Sequence, residues 1–155
     1  MPAKPLSGPG NISHALAIMS HMLKRTLLGV VVLSSLTLAA DNDKIERGKY
    51  LTEEIGKCQD CHTPRGETGQ LDKTKWLKGA TLDFQPMKEV KGWHATSPDL
   101  TGAGRLFQRW GEDGIVTFLV TGKGPRGNGA DAPMPTYTLK QDDAEAIVAY
   151  LKSLK

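Results

Sequence analysis

Cys58-Gln59-Asp60-Cys61-His62 contains the only two cysteines of the chain, with a histidine directly behind the second. Two thiols separated by two residues and followed by histidine form the attachment signature of covalently bound, c-type haem. The thiols add across the vinyl groups of the macrocycle as thioethers, and the adjacent imidazole stands ready to ligate the iron. Three other chemistries use paired cysteines. A zinc site needs a fourth ligand, and after residue 40 the one other histidine is His94, with no second cysteine pair. A thioredoxin-like dithiol sits near a βαβ pattern, and no strand-rich stretch of that kind is visible. A disulfide across a two-residue gap closes a small, strained ring. The residues therefore favour a single haem, held covalently by Cys58 and Cys61 and ligated by His62.

Upstream, Met22-Leu23-Lys24-Arg25 gives a short positive start, and an apolar run from Thr26 ends in Thr37-Leu38-Ala39-Ala40. Charge, a short apolar core and then small residues are the order of a secretory signal. The run is shorter than the roughly 20 apolar residues that span a bilayer. Residues 1–21 read as an upstream segment from an over-extended start, residues 22–40 as the signal, and residues 41–155 as the exported domain. Export and the cysteine motif agree, because c-type haem is attached outside the cytoplasmic membrane. The domain is expected to be periplasmic or otherwise exported, without a stable membrane span once the signal is cleaved.

Removing residues 1–40 takes away Lys4, Lys24 and Arg25 and no acids, so 20 basic against 17 acidic residues becomes 17 against 17. No polybasic stripe remains, which argues against nucleic acid and anionic membrane as partners. A chain of about 115 residues makes one domain. It holds three phenylalanines, a thin core that an apolar macrocycle would complete.

The hydrophobic pattern predicts an all-α domain with long loops. Ile45 to Ile55 reads as a first helix with Asp43 as N-cap. Gly48 in its middle is unfavourable by about 1 kcal/mol against alanine, a sign of close packing. Residues 63–104 show no sustained period and read as loop around a cofactor. Gly111 to Thr121 reads as a second helix that buries Trp110, Ile115, Phe118 and Leu119, with Gly122 past its end. Asp142 to Leu154 reads as the last, with Ala144, Ile147, Val148, Leu151 and Leu154 at helical spacing.

Three residues after the leader are candidates for the sixth iron ligand. Met134 stands between Pro133 and Pro135, which stiffen its loop. Met87 lies in a charged loop and reads as filler, and His94 would give a bis-histidine iron of lower potential. Among possible donors to the haem propionates, Arg126 is preferred over Trp76, Trp93 and Lys123 because a guanidinium matches carboxylate geometry.

Arg47-Gly48-Lys49-Tyr50-Leu51, Cys58-x-x-Cys61-His62-Thr63, Ser97-Pro98-Asp99-Leu100-Thr101, Met134-Pro135 and Val148-Ala149-Tyr150-Leu151 occur in the order seen in class I cytochromes c. Across nearly all of residues 41–155 the sequence resembles the monohaem domains found as cytochrome subunits of bacterial membrane-associated dehydrogenases. The resemblance implies the class I fold, three to four helices with long loops wrapped around one haem. It implies that the first and last helices cross at Gly48, with Tyr50 and Tyr150 nearby. It implies Met134 as the sixth ligand, the Pro98 carbonyl on His62 Nδ1–H, and Leu100 against the haem face. The exposed haem edge would lie near Gln59, Asp60 and the Met134 loop. Lys140 stands where the family often caps the last helix with Ser or Thr.

The expected function is transfer of single electrons between redox partners, a dehydrogenase or an oxidase, by a monomeric carrier that is not itself an enzyme. A subunit of a larger dehydrogenase complex is the alternative and would carry an apolar docking surface. A haem enzyme or gas sensor would need an open sixth site, which the Pro-Met-Pro bracket opposes.

Overall fold

The chain enters its described part already helical. The computed structural model describes residues 41–155, which form one compact unit; the signal and upstream segments expected over residues 1–40 lie outside the described residues. Residues 41–50 are α-helical (α1), so Asp43 lies within the helix and is not its cap. The helix then widens into a π-helical turn, Leu51–Ile55.

A short helix α2, Gln59–His62, follows and carries the cysteine motif. The long segment after it is irregular, as its composition predicts. It holds a 3-10 turn at Lys73–Lys75, capped by Asp72, and two two-residue strands, β1 (Ala80–Thr81) and β2 (Thr96–Ser97). These pair antiparallel, Ala80 opposite Ser97 and Thr81 opposite Thr96. Beyond them, the Leu82 N–H donates to the Ala95 carbonyl at 2.8 Å, so residues 83–94 form an excursion pinned at its base.

Helix α3 spans Arg105–Thr121 and begins six residues earlier than the hydrophobic pattern indicates. Gly111 explains the difference: at φ 66° and ψ 176° it breaks the helix into two parts, and glycine adopts that conformation without a Cβ penalty. The second part ends as expected on Gly122 in the left-handed region. Its buried residues are Ile115, Val116 and Leu119, while Trp110 and Phe118 are half-buried and pack edge-on at 5.4 Å. The last helix, α4, spans Gln141–Ser153. Its N-cap Lys140 provides no side-chain capping bond, so the helix starts without the hydroxyl cap that favours such ends.

The core joins α3 and α4 to the irregular segment: Leu77, Leu100, Ile115, Val116, Leu119, Ala144, Ile147, Val148, Tyr150 and Leu151 form one buried cluster. Helix α1 meets α4 at Gly48, with no room for a side chain. Tyr150 packs there as expected, but Tyr50 is 49% exposed, beneath the Arg47 guanidinium. This is the all-α, loop-rich architecture that the sequence resemblance implies.

The candidate haem-attachment site

The π turn of α1 delivers the chain into the cysteine motif. The Cys58 N–H donates to the Thr52 carbonyl at 3.0 Å, and the His62 N–H to the Cys58 carbonyl at 2.9 Å, which winds residues 58–62 into a single turn. Three residues apart on one turn, Cys58 and Cys61 share a face. Both are free thiols. Burial pushes the Cys58 thiol up to about 11, and burial together with the charge of Asp60 raises Cys61, so both remain protonated at neutral pH.

His62 is 4% exposed. Its Nδ1 is 2.8 Å from the Pro98 carbonyl oxygen, which can only accept, so the proton sits on Nδ1. Burial lowers the imidazole below its ordinary range and outweighs the opposite effect of that bond. A neutral ring with its proton committed to Pro98 leaves the Nε2 lone pair for a metal, the arrangement that orients metal-ligating histidines. Two thiols on one face and a pre-oriented imidazole fit a covalently attached haem. The cage of four protein ligands that zinc requires is not assembled among the described residues.

The Pro98 region is tied to the motif at several points. The Ser97 hydroxyl donates to the Cys61 carbonyl and accepts from the Ala80 N–H at 3.0 Å. The Gly79 N–H donates to the His62 carbonyl at 2.9 Å. Thr63, buried beside His62, accepts from the Leu77 N–H at 2.9 Å, and the Leu77 carbonyl accepts from the Leu100 N–H at 2.9 Å. Leu100 is thereby set in the core, 8% exposed.

The other expected residues divide. Met134 is half-buried in the loop between α3 and α4, its N–H donating to the Asp131 carbonyl at 3.0 Å. That loop reaches the motif through Tyr137, whose hydroxyl meets the Gly56 carbonyl at 3.3 Å; burial, and then the nearby Cys58 and Cys61 thiols, raise its phenol. Met87 is fully exposed and fills no core. His94 is a surface residue, its ring 3.5 Å from the Asp131 carboxylate and its N–H on the Ala132 carbonyl at 2.7 Å. Arg126 and Lys123 are exposed on the turn after α3. The Trp76 indole N–H is committed to Glu53 Oε1 at 3.0 Å rather than free for a propionate.

Gln59 overturns an expectation about the exposed edge. It is 8% exposed, its amide N–H donating to the Glu53 carbonyl at 2.9 Å, so it faces inward while Asp60 alone of the pair faces out. Ser97, Gly79 and Glu53 carry no role in the sequence reading. Ser97 left one usable trace, a hydroxyl directly before a proline that the chain must hold in extended geometry.

A small all-α domain whose first turned segment presents two thiols and a proline-oriented imidazole has the parts that a covalently attached haem requires. The cytochrome c family model matches residues 45–155, and the chain belongs to that family, which binds haem c. Similar proteins include a diheme cytochrome c-type protein of Cereibacter sphaeroides, 39% identical over 112 residues, covering 69% of this chain and 34% of that protein. The cytochrome c subunit of a quinone alcohol dehydrogenase of Gluconobacter oxydans is 34% identical over 119 residues, covering 72% of this chain and 24% of its own length. The fructose dehydrogenase cytochrome subunit of Gluconobacter japonicus is 31% identical over 120 residues, at 73% and 22% coverage. The chain thus spans about a third or less of the length of these curated relatives.

Proposed function

We propose that this cytochrome c domain passes single electrons between redox proteins through one haem, bound covalently at Cys58 and Cys61 and ligated by His62 and Met134. When bound, the haem supplies a one-electron ferric/ferrous couple whose potential follows its axial ligands and surroundings. The observation that carries the reading is the 2.8 Å bond from His62 to Pro98 on a turn that also presents both free thiols. His62 holds its proton at Nδ1 and offers Nε2. Met134, with prolines on either side, offers a soft thioether that raises the potential relative to a second imidazole. The chain itself catalyses no bond-making step.

The domain works outside the cytoplasmic membrane as residues 41–155, after removal of the signal at residues 22–40. No helix among the described residues is long and apolar enough to cross a membrane. Its partner is a dehydrogenase. Relatives named as dehydrogenase cytochrome subunits support this reading. So do Phe84, Met87 and Val90, which project from one loop with 44%, 102% and 41% of their surface exposed and offer an apolar contact. The same loop favours stable residence in a dehydrogenase complex as the second reading, and co-purification of the native protein separates the two.

Visible spectra of the exported protein, ferric and ferrous, with and without carbon monoxide, test the assignment. The expected result is a low-spin c-type spectrum with the ferric methionine-to-iron band, unmoved by carbon monoxide and converted to a carbon-monoxide-binding form in Met134→Ala. A high-spin wild type, or one that binds carbon monoxide promptly, removes Met134 and the carrier role together.

A further inference from the structure

Two consecutive residues of the cysteine motif are stitched to two consecutive residues 36 positions away: Cys61 to Ser97, and His62 to Pro98. The second stitch orients the imidazole. What holds Pro98 in place is the open question, because proline has no N–H and cannot anchor itself by donation.

The anchoring falls to its neighbours. On the far side, the Asp99 carboxylate accepts the Thr101 N–H at 2.8 Å and the Leu100 N–H donates to the Leu77 carbonyl at 2.9 Å, and neither bond is made to Cys61 or His62 themselves. On the near side, Ser97 reaches both other strands of the junction. Its hydroxyl has one proton and two lone pairs. The proton goes to the Cys61 carbonyl, and a lone pair takes the Ala80 N–H at 3.0 Å. Ala80 is also Ser97's partner across β1 and β2, and its neighbour Gly79 donates to the His62 carbonyl. Gly79 sits at φ +81°, where a Cβ would stand 2.7 Å from the Ser97 carbonyl oxygen, so the three segments meet with no slack.

We propose that Ser97 is a positioning residue for the iron ligand: its hydroxyl, bridging Cys61 and Ala80, sets the Pro98 carbonyl against His62 Nδ1–H and thereby tunes the basicity of Nε2. A firmly hydrogen-bonded Nδ1–H makes the imidazole a stronger donor, which favours the ferric state. Loosening that bond shifts the couple toward the ferrous state and raises the reduction potential. The register of β1 against β2 also rests on the Leu82 N–H to Ala95 carbonyl bond, which does not involve the hydroxyl, so fold and tuning are expected to separate.

The proposal rests on the haem-attachment reading, and its test uses the haem-loaded protein. In ferrous Ser97→Ala, solvent exchange of His62 Nδ1–H measured by NMR is expected to accelerate about tenfold or more, as an opened local bond allows. The potential rises in the same variant. Ser97→Thr, which keeps the hydroxyl, is expected to restore both. Unchanged exchange and potential in Ser97→Ala, or equal displacement in Ser97→Thr, overturns the proposal. A second measurement needs no variant: in the wild-type protein the Ser97 hydroxyl proton is expected to exchange slowly and to show coupling across the bond to the Cys61 carbonyl carbon. A hydroxyl proton exchanging at the free solvent rate overturns the proposal even if Ser97→Ala yields no holoprotein. Failure of the underlying reading looks different, because the wild type itself then carries no thioether-linked haem.

Discussion

Gly48 faces Ala146 so closely that a methyl group on it would lie 1.9 Å from the Ala146 carbonyl oxygen. The obstacle is backbone, so no rotamer change relieves it. The same methyl would stand 2.9 Å from Tyr150 Cβ. Alanine is the better helix former in isolation, yet here it must push α1 away from α4. Gly48→Ala is expected to destabilise the holoprotein by ~3 kcal/mol, the upper part of the range for overpacked cores. Chemical denaturation measures this, and a midpoint equal to the wild type's contradicts the close crossing.

Glu53 Oε1 receives both the Tyr150 hydroxyl and the Trp76 indole N–H, joining α1, α4 and the irregular segment at one oxygen. Tyr150→Phe is expected to cost about 2 kcal/mol, as for a hydrogen bond to a charged group. Burial, followed by the Glu53 bond, raises the Tyr150 phenol far above its ordinary range. The folded state then keeps a proton that the unfolded chain releases near about pH 10. Stability from this group is therefore complete below that pH and is lost as pH rises beyond it. Denaturation midpoints across alkaline pH should fall less steeply in Tyr150→Phe than in the wild type.

Leu77 is fully buried between Thr63 and Leu100. Leu77→Ala is expected to destabilise by ~3 kcal/mol through lost burial and the cavity left behind. Its location behind the cysteine motif adds a second readout, a lower yield of haem-loaded protein on export. A variant as stable as the wild type would mean that this segment does not back the site.

Met87→Ala should leave the ferric methionine-to-iron band intact and change stability by less than about 0.5 kcal/mol, as at ordinary surface positions. Full exposure is the reason. Loss of the band in Met87→Ala, with its retention in Met134→Ala, would exchange the roles of the two methionines.

Much of this was legible from local rules. The cysteine motif, the left-handed Gly122 and the apolar spacing of α4 each announce themselves within a few residues. The crossing at Gly48 was visible as an anomaly, a glycine where alanine should stand. Other features depend on partners distant in sequence. Gln59 lies in a motif whose chemistry suggests exposure, and it turns inward because the Glu53 carbonyl, six residues back on a π turn, accepts its amide. The break at Gly111 hides the first part of α3, because a glycine followed by Glu112 and Asp113 reads as a helix start. Yet Leu106, Phe107 and Trp110 before it stand at helical spacing and pack against the core. Met87 and Met134 each follow a proline, and only tertiary structure separates a projecting loop from a half-buried one. Ser97 illustrates the limit best, since a serine in an irregular segment gains meaning when residues 61 and 80 arrive beside it.

The pin between Leu82 and Ala95 has a consequence for how such a chain can change over time. Everything that orients His62 lies at or below that pin, while residues 83–94 lie beyond it. Lengthening a flexible loop is mild in free energy, about 0.6 kcal/mol for each doubling. Insertions and deletions can accumulate between residues 83 and 94 without reaching the imidazole. The loop proposed for partner contact can thus change length while the imidazole stays set. His94, held by the Ala132 carbonyl two residues before Met134, is the point at which such a change would meet the other proposed ligand.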